Sequence, residues 1–569
     1  MANAVVASPV AAPRVRASLS MDDWIMRGAL VVLSVWLSVA VILPLYSLLS
    51  KSFEDKDGNF LGLANFTEYF STPALFYSIY NSLTIAIVST VITITLAFVF
   101  AYALTRSCMR GKAIFKGIAY IPILAPSLLS AISFVYLFGN QGMIKGLLMG
   151  NTIYGPIGII MGEVFWTFPH ALIIIMTALS LADARLYEAA ESLGTSKLRT
   201  FFTVTLPGIK YGLMSSGFIV FTLVITDFGV PKVIGGQYNV LAVDVYKQVI
   251  GQQNFQMGAV VGMVLLLPAV IAFIADRLVQ RKQVALLSAR AVPYEPKPNK
   301  AVDTAMLVFC GIVSVMILGI IVVAAYASLI QLWPYNLSFT LDNYDFELRD
   351  GGSWGAYFNS LRMATWTAVI GTVVIFSGAY LVEKSRGFER FRGLIQFMAI
   401  MPLAVPGIVL GLAYIFFFNH PDNPLSFIYQ TMAILVIATI IHFYTVSHLT
   451  AVTALKQIDS EFESVSSSLK APFYKTFARV TVPVCLPAIL DISIYLFVNA
   501  MTTVSAVVFL YSADTALASV AVLNMDDAGE IPSAAAMAMM IVYTSAAVRI
   551  FHALLTRGVM RATQAWRSR

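Results

Sequence analysis

Leu186-Tyr187-Glu188-Ala189-Ala190-Glu191-Ser192-Leu193-Gly194, with Leu206-Pro207 thirteen residues after the glycine, is a polar interval between two long apolar segments. The pattern reads as a short surface helix, a glycine turn and a second helix ended by proline. Small Ala189 and Ala190 let another protein's surface approach closely, and Glu188 offers a carboxylate to a partner's cation or helix N-terminus. The interval is also duplicated. At an offset of 276, Leu179, Asp183, Leu193, Thr200, Phe201, Val204, Thr205 and Pro207 recur as Leu455, Asp459, Leu469, Thr476, Phe477, Val480, Thr481 and Pro483.

Working outward, the duplication extends over the chain. Asn65, Asn81, Ser82 and Tyr102 recur as Asn343, Asn359, Ser360 and Tyr380 at an offset of 278, and Pro122 and Pro126 as Pro402 and Pro406 at 280. Each copy holds six stretches of the length needed to cross a bilayer, roughly 20 apolar residues. They are 29–50, 79–104, 114–138, 156–179, 211–227 and 257–279, then 303–330, 358–382, 394–418, 429–452, 487–511 and 533–556. An even number of spans returns each copy to its starting side, so the copies are parallel repeats about an axis along the membrane normal, the natural place for a solute path. The expected fold is all-α, twelve transmembrane helices in two parallel six-helix repeats. The division is a tail 1–27, a first membrane domain 28–283, a linker 284–302, a second membrane domain 303–557 and a tail 558–569.

Composition agrees. A chain of 569 residues that is 59% hydrophobic and 12% charged, with a mean hydropathy of +0.80, lies outside the range of soluble domains. The net charge of +7 is a topology signal, because most lysines and arginines fall in alternate loops once the N-terminus is placed inside. No clustered base-reading or phosphate-binding element accompanies the basic pI, so nucleic acid is not an expected partner. The Ala-, Val- and Pro-rich first twenty residues read as a cytosolic tail before a retained first span, since the apolar stretch behind them is too long for a cleaved signal.

Nothing in the sequence carries bond-making chemistry. There is no GxxxxGK[ST] phosphate loop and no HExxH or other His/Cys metal spacing. Gly351-Gly352-Ser353-Trp354-Gly355 matches GxSxG, but a nucleophile elbow requires a strand-to-helix turn and this lies before a membrane helix. Cys108, Cys310 and Cys485 have no paired spacing and read as packing residues. Polar groups at membrane depth are functional candidates by default. Of these, Glu163, Asp227, Asp491 and Asn499 are candidates for the translocation path, and His442 and His448 are expected near an interface.

The Glu188-Ala189-Ala190 triplet, Gly194 and distal Pro207 resemble the EAA loop of permeases of ATP-binding-cassette importers, and the six-span unit and its repeat extend that resemblance over nearly the whole chain. The resemblance implies a type I importer permease whose loops sit in grooves of two cytosolic ATPase subunits. Coupling residues would be Glu188, Ala189, Ala190, Gly194 and Pro207, and in the second copy Glu463, Ser464, Lys470 and Pro483. The second loop departs from the pattern, with Ser464, Val465, Ser466 and Lys470 standing for Glu188, Ala189, Ala190 and Gly194. It also implies a periplasmic or extracellular solute-binding protein docking near 51–77 and 331–356. The chain itself would bind no cofactor, with ATP and Mg held by the ATPases. The setting would be the bacterial inner membrane among lipid, with both termini cytoplasmic. Asp227-Phe228-Gly229 is similar to a segment of ferric-iron, thiamine and polyamine permeases. Met401-Pro402-Leu403-Ala404-Val405-Pro406-Gly407, Phe443-Tyr444-Thr445-Val446-Ser447-His448 and Val522-Leu523-Asn524-Met525-Asp526-Asp527-Ala528-Gly529 resemble permeases assigned to 2-aminoethylphosphonate uptake. A ferric-iron permease is the alternative cargo reading, and an ion-coupled secondary transporter is the alternative class.

Overall fold

The residues that mark the repeat in the sequence recur as the same bonds in space. Asn65 donates its side-chain amide to the carbonyls of Ser52 and Glu54 at 3.1 and 2.9 Å, and Asn343 does so to Ser328 and Ile330 at 3.2 and 2.7 Å. The Ser82 hydroxyl accepts the Leu241 N–H and the Ser360 hydroxyl the Ala518 N–H, each at 2.8 Å. Tyr102 packs on Phe201 and Tyr380 on Phe477. Backbone groups inside a bilayer must be satisfied by protein, so a side chain that closes a helix end is under the same constraint in both copies.

The computed structural model describes residues 21–286, 292, 294–385, 387–459 and 461–563, without the side chains of 281–286, 463, 467 and 559–563. Among the described residues, eight uninterrupted helices are long and apolar enough to span a membrane: Met21–Lys51, Pro73–Arg106, Pro156–Ser180, Lys197–Thr226, Phe255–Gln280, Lys300–Leu329, Trp354–Lys384 and Ile531–Gly558. Four more pass only as bent pairs, giving twelve spans if each pair is one. The fold is thus an all-α membrane bundle, with a small antiparallel hairpin, Ile330–Leu332 with Asn336–Phe339, following the first helix of the second copy.

Three spans expected as continuous are broken, and a fourth is bent just before its expected start. The stretches 114–138 and 394–418 bend by 102° and 114°, after Leu124 and Ala404. Short 3-10 turns lead into extended Ala125 and Val405, each forced out of helical geometry by the proline that follows it. The stretch 429–452 bends by 56° at Phe443. In the second copy Phe473–Val484 and Leu486–Thr502 meet at 76°, and the helix ends at Thr502 rather than 511.

Three prolines that a regular helix would not tolerate are accommodated alike. Each follows a widened π turn, Ser38–Ile42 before Pro44, Phe201–Thr205 before Pro207 and Phe477–Thr481 before Pro483. The N–H that precedes each proline reaches back five residues, from Leu43 to Ser38, Leu206 to Phe201 and Val482 to Phe477. Pro207 therefore does not end a helix, as its position suggests; the helix runs through it from Lys197 to Thr226. In the second copy Pro487 adds a second break four residues after Pro483, where the first copy has Tyr211, and this accounts for the 76° bend.

The copies are interlocked at their first helices. Met21–Lys51 packs on the second copy: Trp36 lies on Tyr444, and a Cβ on Gly378 would meet Leu33 at 3.1 Å. Pro44 leaves the Ala40 carbonyl, four residues earlier, without its helical donor. The Tyr414 hydroxyl of the second copy supplies one at 2.7 Å. Lys300–Leu329 in turn packs on the first copy's helices Pro73–Arg106, Lys112–Ala119 and Ser127–Phe138.

Candidate functional site

The first loop is built by local rules. Asp183 caps the helix Ala184–Ser192 by accepting the Arg185 N–H at 3.1 Å. The helix stops because Gly194 takes a left-handed φ of +67°, with Gly194 N–H on the Glu191 carbonyl and Thr195 N–H on the Ala190 carbonyl. This is the paired closure of a Schellman motif. Ser196 then caps Lys197–Thr200, which continues into the fifth span.

The second loop repeats this backbone with other side chains. Asp459 accepts the Glu461 N–H, Ala471 N–H closes on the Ser466 carbonyl, and Lys470 holds φ +53° where the first copy has glycine. The turn is conserved in shape although its residue is not. The Glu463 side chain lies outside the described residues.

Glu188 and Ala189 are exposed, as are Ser464 and Lys470, whereas Ala190 faces inward and its carbonyl also accepts the Thr195 hydroxyl. The residue before each turn is an exposed leucine, Leu193 at 80% and Leu469 at 75%. Pro207 and Pro483 are exposed on their helices. Both loops thus present a short helix, an apolar residue and a polar rim.

Of the membrane-depth candidates, the structure brings Glu163 and Asp227 together and separates Asp491 and Asn499 from them. Glu163 is fully buried, neither of its carboxyl oxygens has a well-formed hydrogen bond among the described residues, and Asp227 lies beside it. Asp227 follows the fifth span and accepts the Val230 N–H at 2.8 Å, starting the short helix Gly229–Ile234. That helix crosses close to the fourth span, where a Cβ on Gly162 would meet Val230 at 2.5 Å. Asp491 is exposed and lies 3.5 Å from His552, and the Asn499 amide donates to the Tyr495 carbonyl of its own helix. His448 is fully buried in the bundle, stacks on Tyr444 and meets Gln396 at 3.0 Å. Ser353 of the GxSxG match caps the helix Trp354–Lys384.

Two features had no signal in single residues. Lys232 of the first copy and Asp527 of the second form a 2.6 Å ion pair between the copies, with Tyr246 stacked on Phe509 beside it. The segment between the copies also touches the first loop, through Val292, Tyr294 and Lys297.

A duplicated, interlocked membrane bundle with one matched loop per copy is the architecture of a transport permease. The chain belongs to the family described as binding-protein-dependent transport system inner membrane component, which matches residues 93–285 and 375–561, one stretch in each copy. It is a fused two-copy permease of an ATP-binding-cassette importer and not itself an enzyme. It is 28% identical over 490 residues to a ferric transport system permease protein of Actinobacillus pleuropneumoniae, covering 83% of this chain and 70% of that one. To a second such permease, from Haemophilus influenzae, it is 24% identical, covering 85% and 91%. A spermidine/putrescine transport system permease of Haemophilus influenzae is 26% identical over 43% of this chain and 92% of its own length.

Proposed function

We propose that this permease passes a small solute, received from a binding protein, into the cytosol, and that two ATPase subunits drive it through the loops 185–207 and 461–483. The observation that carries this reading is the pair of matched loops, each a capped helix ended by a left-handed turn with an exposed leucine beside it. Exposed apolar residues outside the spans, repeated at equivalent positions, fit a surface that a partner covers. The basic end of the bundle, which carries both loops, is the cytosolic one on this reading.

For the cargo we favour 2-aminoethylphosphonate, supported by the three second-copy segments 401–407, 443–448 and 522–529. The ferric permeases named above favour iron as the second reading. Likeness of fold does not choose between them, since a polyamine permease is about as similar where it aligns. Glu163 and Asp227 fit the path in either case, because buried carboxyls suit a cargo that carries an ammonium group or a metal cation. Uptake of labelled 2-aminoethylphosphonate and of ferric iron, in cells with and without this gene, tests the choice. Loss of phosphonate uptake alone supports the favoured cargo, and loss of iron uptake alone replaces it.

A further inference from the structure

The linker between the copies is seated on the first loop at several points. Ala184 N–H donates to the Val292 carbonyl at 2.9 Å, beside the Asp183 cap. Tyr294 packs on Tyr187 with ring centres 4.5 Å apart. The Arg106 guanidinium, at the end of the second span, lies over both rings, 5.0 Å from Tyr187 and 4.3 Å from Tyr294. The same guanidinium donates to the Leu179 carbonyl at 2.8 Å, at the C-terminal end of the fourth span. Lys297 meets Glu191 at 2.6 Å, and the Cys108 thiol donates to the Pro296 carbonyl at 3.2 Å.

The helix Ala184–Ser192 buries only Ala184 and Ala190, so its own hydrophobic contacts anchor it weakly. Arg106 is where the second span, the fourth span, the loop helix and the linker meet. A cation packed against two touching aromatic rings in a mostly dry site is a firmer joint than an exposed ion pair, which Lys297–Glu191 is. The matching positions of the second copy hold Lys384 and Glu463 in place of Arg106 and Tyr187, so the stacked joint is not available there.

We propose that Tyr294 of the linker, aided by Lys297, is a positioning residue for coupling: it holds Tyr187 against Arg106, so that a push on the first loop helix reaches the second span. This rests on the transport reading for the source of the push, but not for the hold itself. The linker is then a working strap and not a tether of arbitrary sequence.

Two measurements on the full chain separate the hold from its use. Hydrogen exchange of the amides in 184–193, on the purified chain alone, is expected to speed up about 5- to 10-fold in Tyr294→Ala and to stay near wild type in Tyr294→Phe, which keeps the ring over Arg106. In proteoliposomes with its ATPase and loaded binding protein, solute moved per ATP is expected to fall by a similar factor in Tyr294→Ala with ATPase recruitment kept. Lys297→Glu is expected to fall about 2-fold and to recover when combined with Glu191→Lys. Unchanged exchange in Tyr294→Ala, or equal damage from Tyr294→Phe, overturns the proposal. If exchange responds but the wild-type chain recruits no ATPase, the transport reading fails while the hold stands.

Discussion

Exchanging the residues at the two turn positions, Gly194→Lys and Lys470→Gly, is expected to move the two loop helices in opposite directions. Both positions hold a left-handed backbone, φ +67° at Gly194 and +53° at Lys470. A side chain in that region costs roughly 1–2 kcal/mol, and glycine gives back about 0.5–1 kcal/mol because its unfolded chain is freer. The difference is about 1 kcal/mol, or about a 5-fold change in the local opening equilibrium. Neither turn position has a Cβ clash to add, since nothing lies within 4 Å of the Cβ site at Gly194. Hydrogen exchange reads this directly at the amides that close each turn, Thr195 in the first copy and Ala471 in the second. Gly194→Lys is expected to speed exchange at Thr195 about 5-fold, and Lys470→Gly to slow it at Ala471 by a similar factor. Changes of the same sign in both variants, or none in either, would refute the claim that the second loop keeps the turn at a cost.

Further outcomes follow from the same structure. Glu188→Arg is expected to lower transport several-fold more than Ser464→Arg in an uptake assay, because only the first loop presents a carboxylate at that position; equal losses would remove the asymmetry. Tyr414→Phe leaves the Ala40 carbonyl without a donor in a buried site and is expected to cost about 1–3 kcal/mol, read as a lower melting temperature in detergent or nanodiscs. Burial, with the neighbouring Asp527, pushes the Asp526 carboxyl up to about 6 from its ordinary 3.8, with Lys232 opposing. The folded protein then holds an extra proton between those values, so stability from this group is present at low pH and is lost as pH rises through about 6. Asp526→Asn is therefore expected to raise thermal stability by about 1–3 kcal/mol at pH 7.5, with the gain shrinking as pH falls toward 4.

Much of the architecture was legible because repeated residues were read as repeated constraints. Asn65 with Asn343, and Ser82 with Ser360, marked the duplication in sequence and turn out to make the same backbone bonds. Pro126 and Pro406 marked it too, but their consequence, a bend of more than 100° inside a stretch apolar enough to span, depends on the preceding residue's backbone and leaves no mark in hydropathy. Pro207 misled in the opposite direction, since a π turn carries the helix past it. Glu163 and Asp227 were each visible as costly polar residues, and only the fold sets them side by side. The joint at Arg106 could not be read at all, because it gathers residues from positions 106, 187 and 294 and no short motif spans them.

The most direct test of the account is transport by the purified chain in proteoliposomes with its ATPase and its binding protein, measured with and without ATP and with and without an ion gradient. Solute uptake that requires ATP and the loaded binding protein, accompanied by hydrolysis, is the expected result. Uptake driven by an ion gradient in the absence of ATP would contradict it and place the chain among secondary transporters.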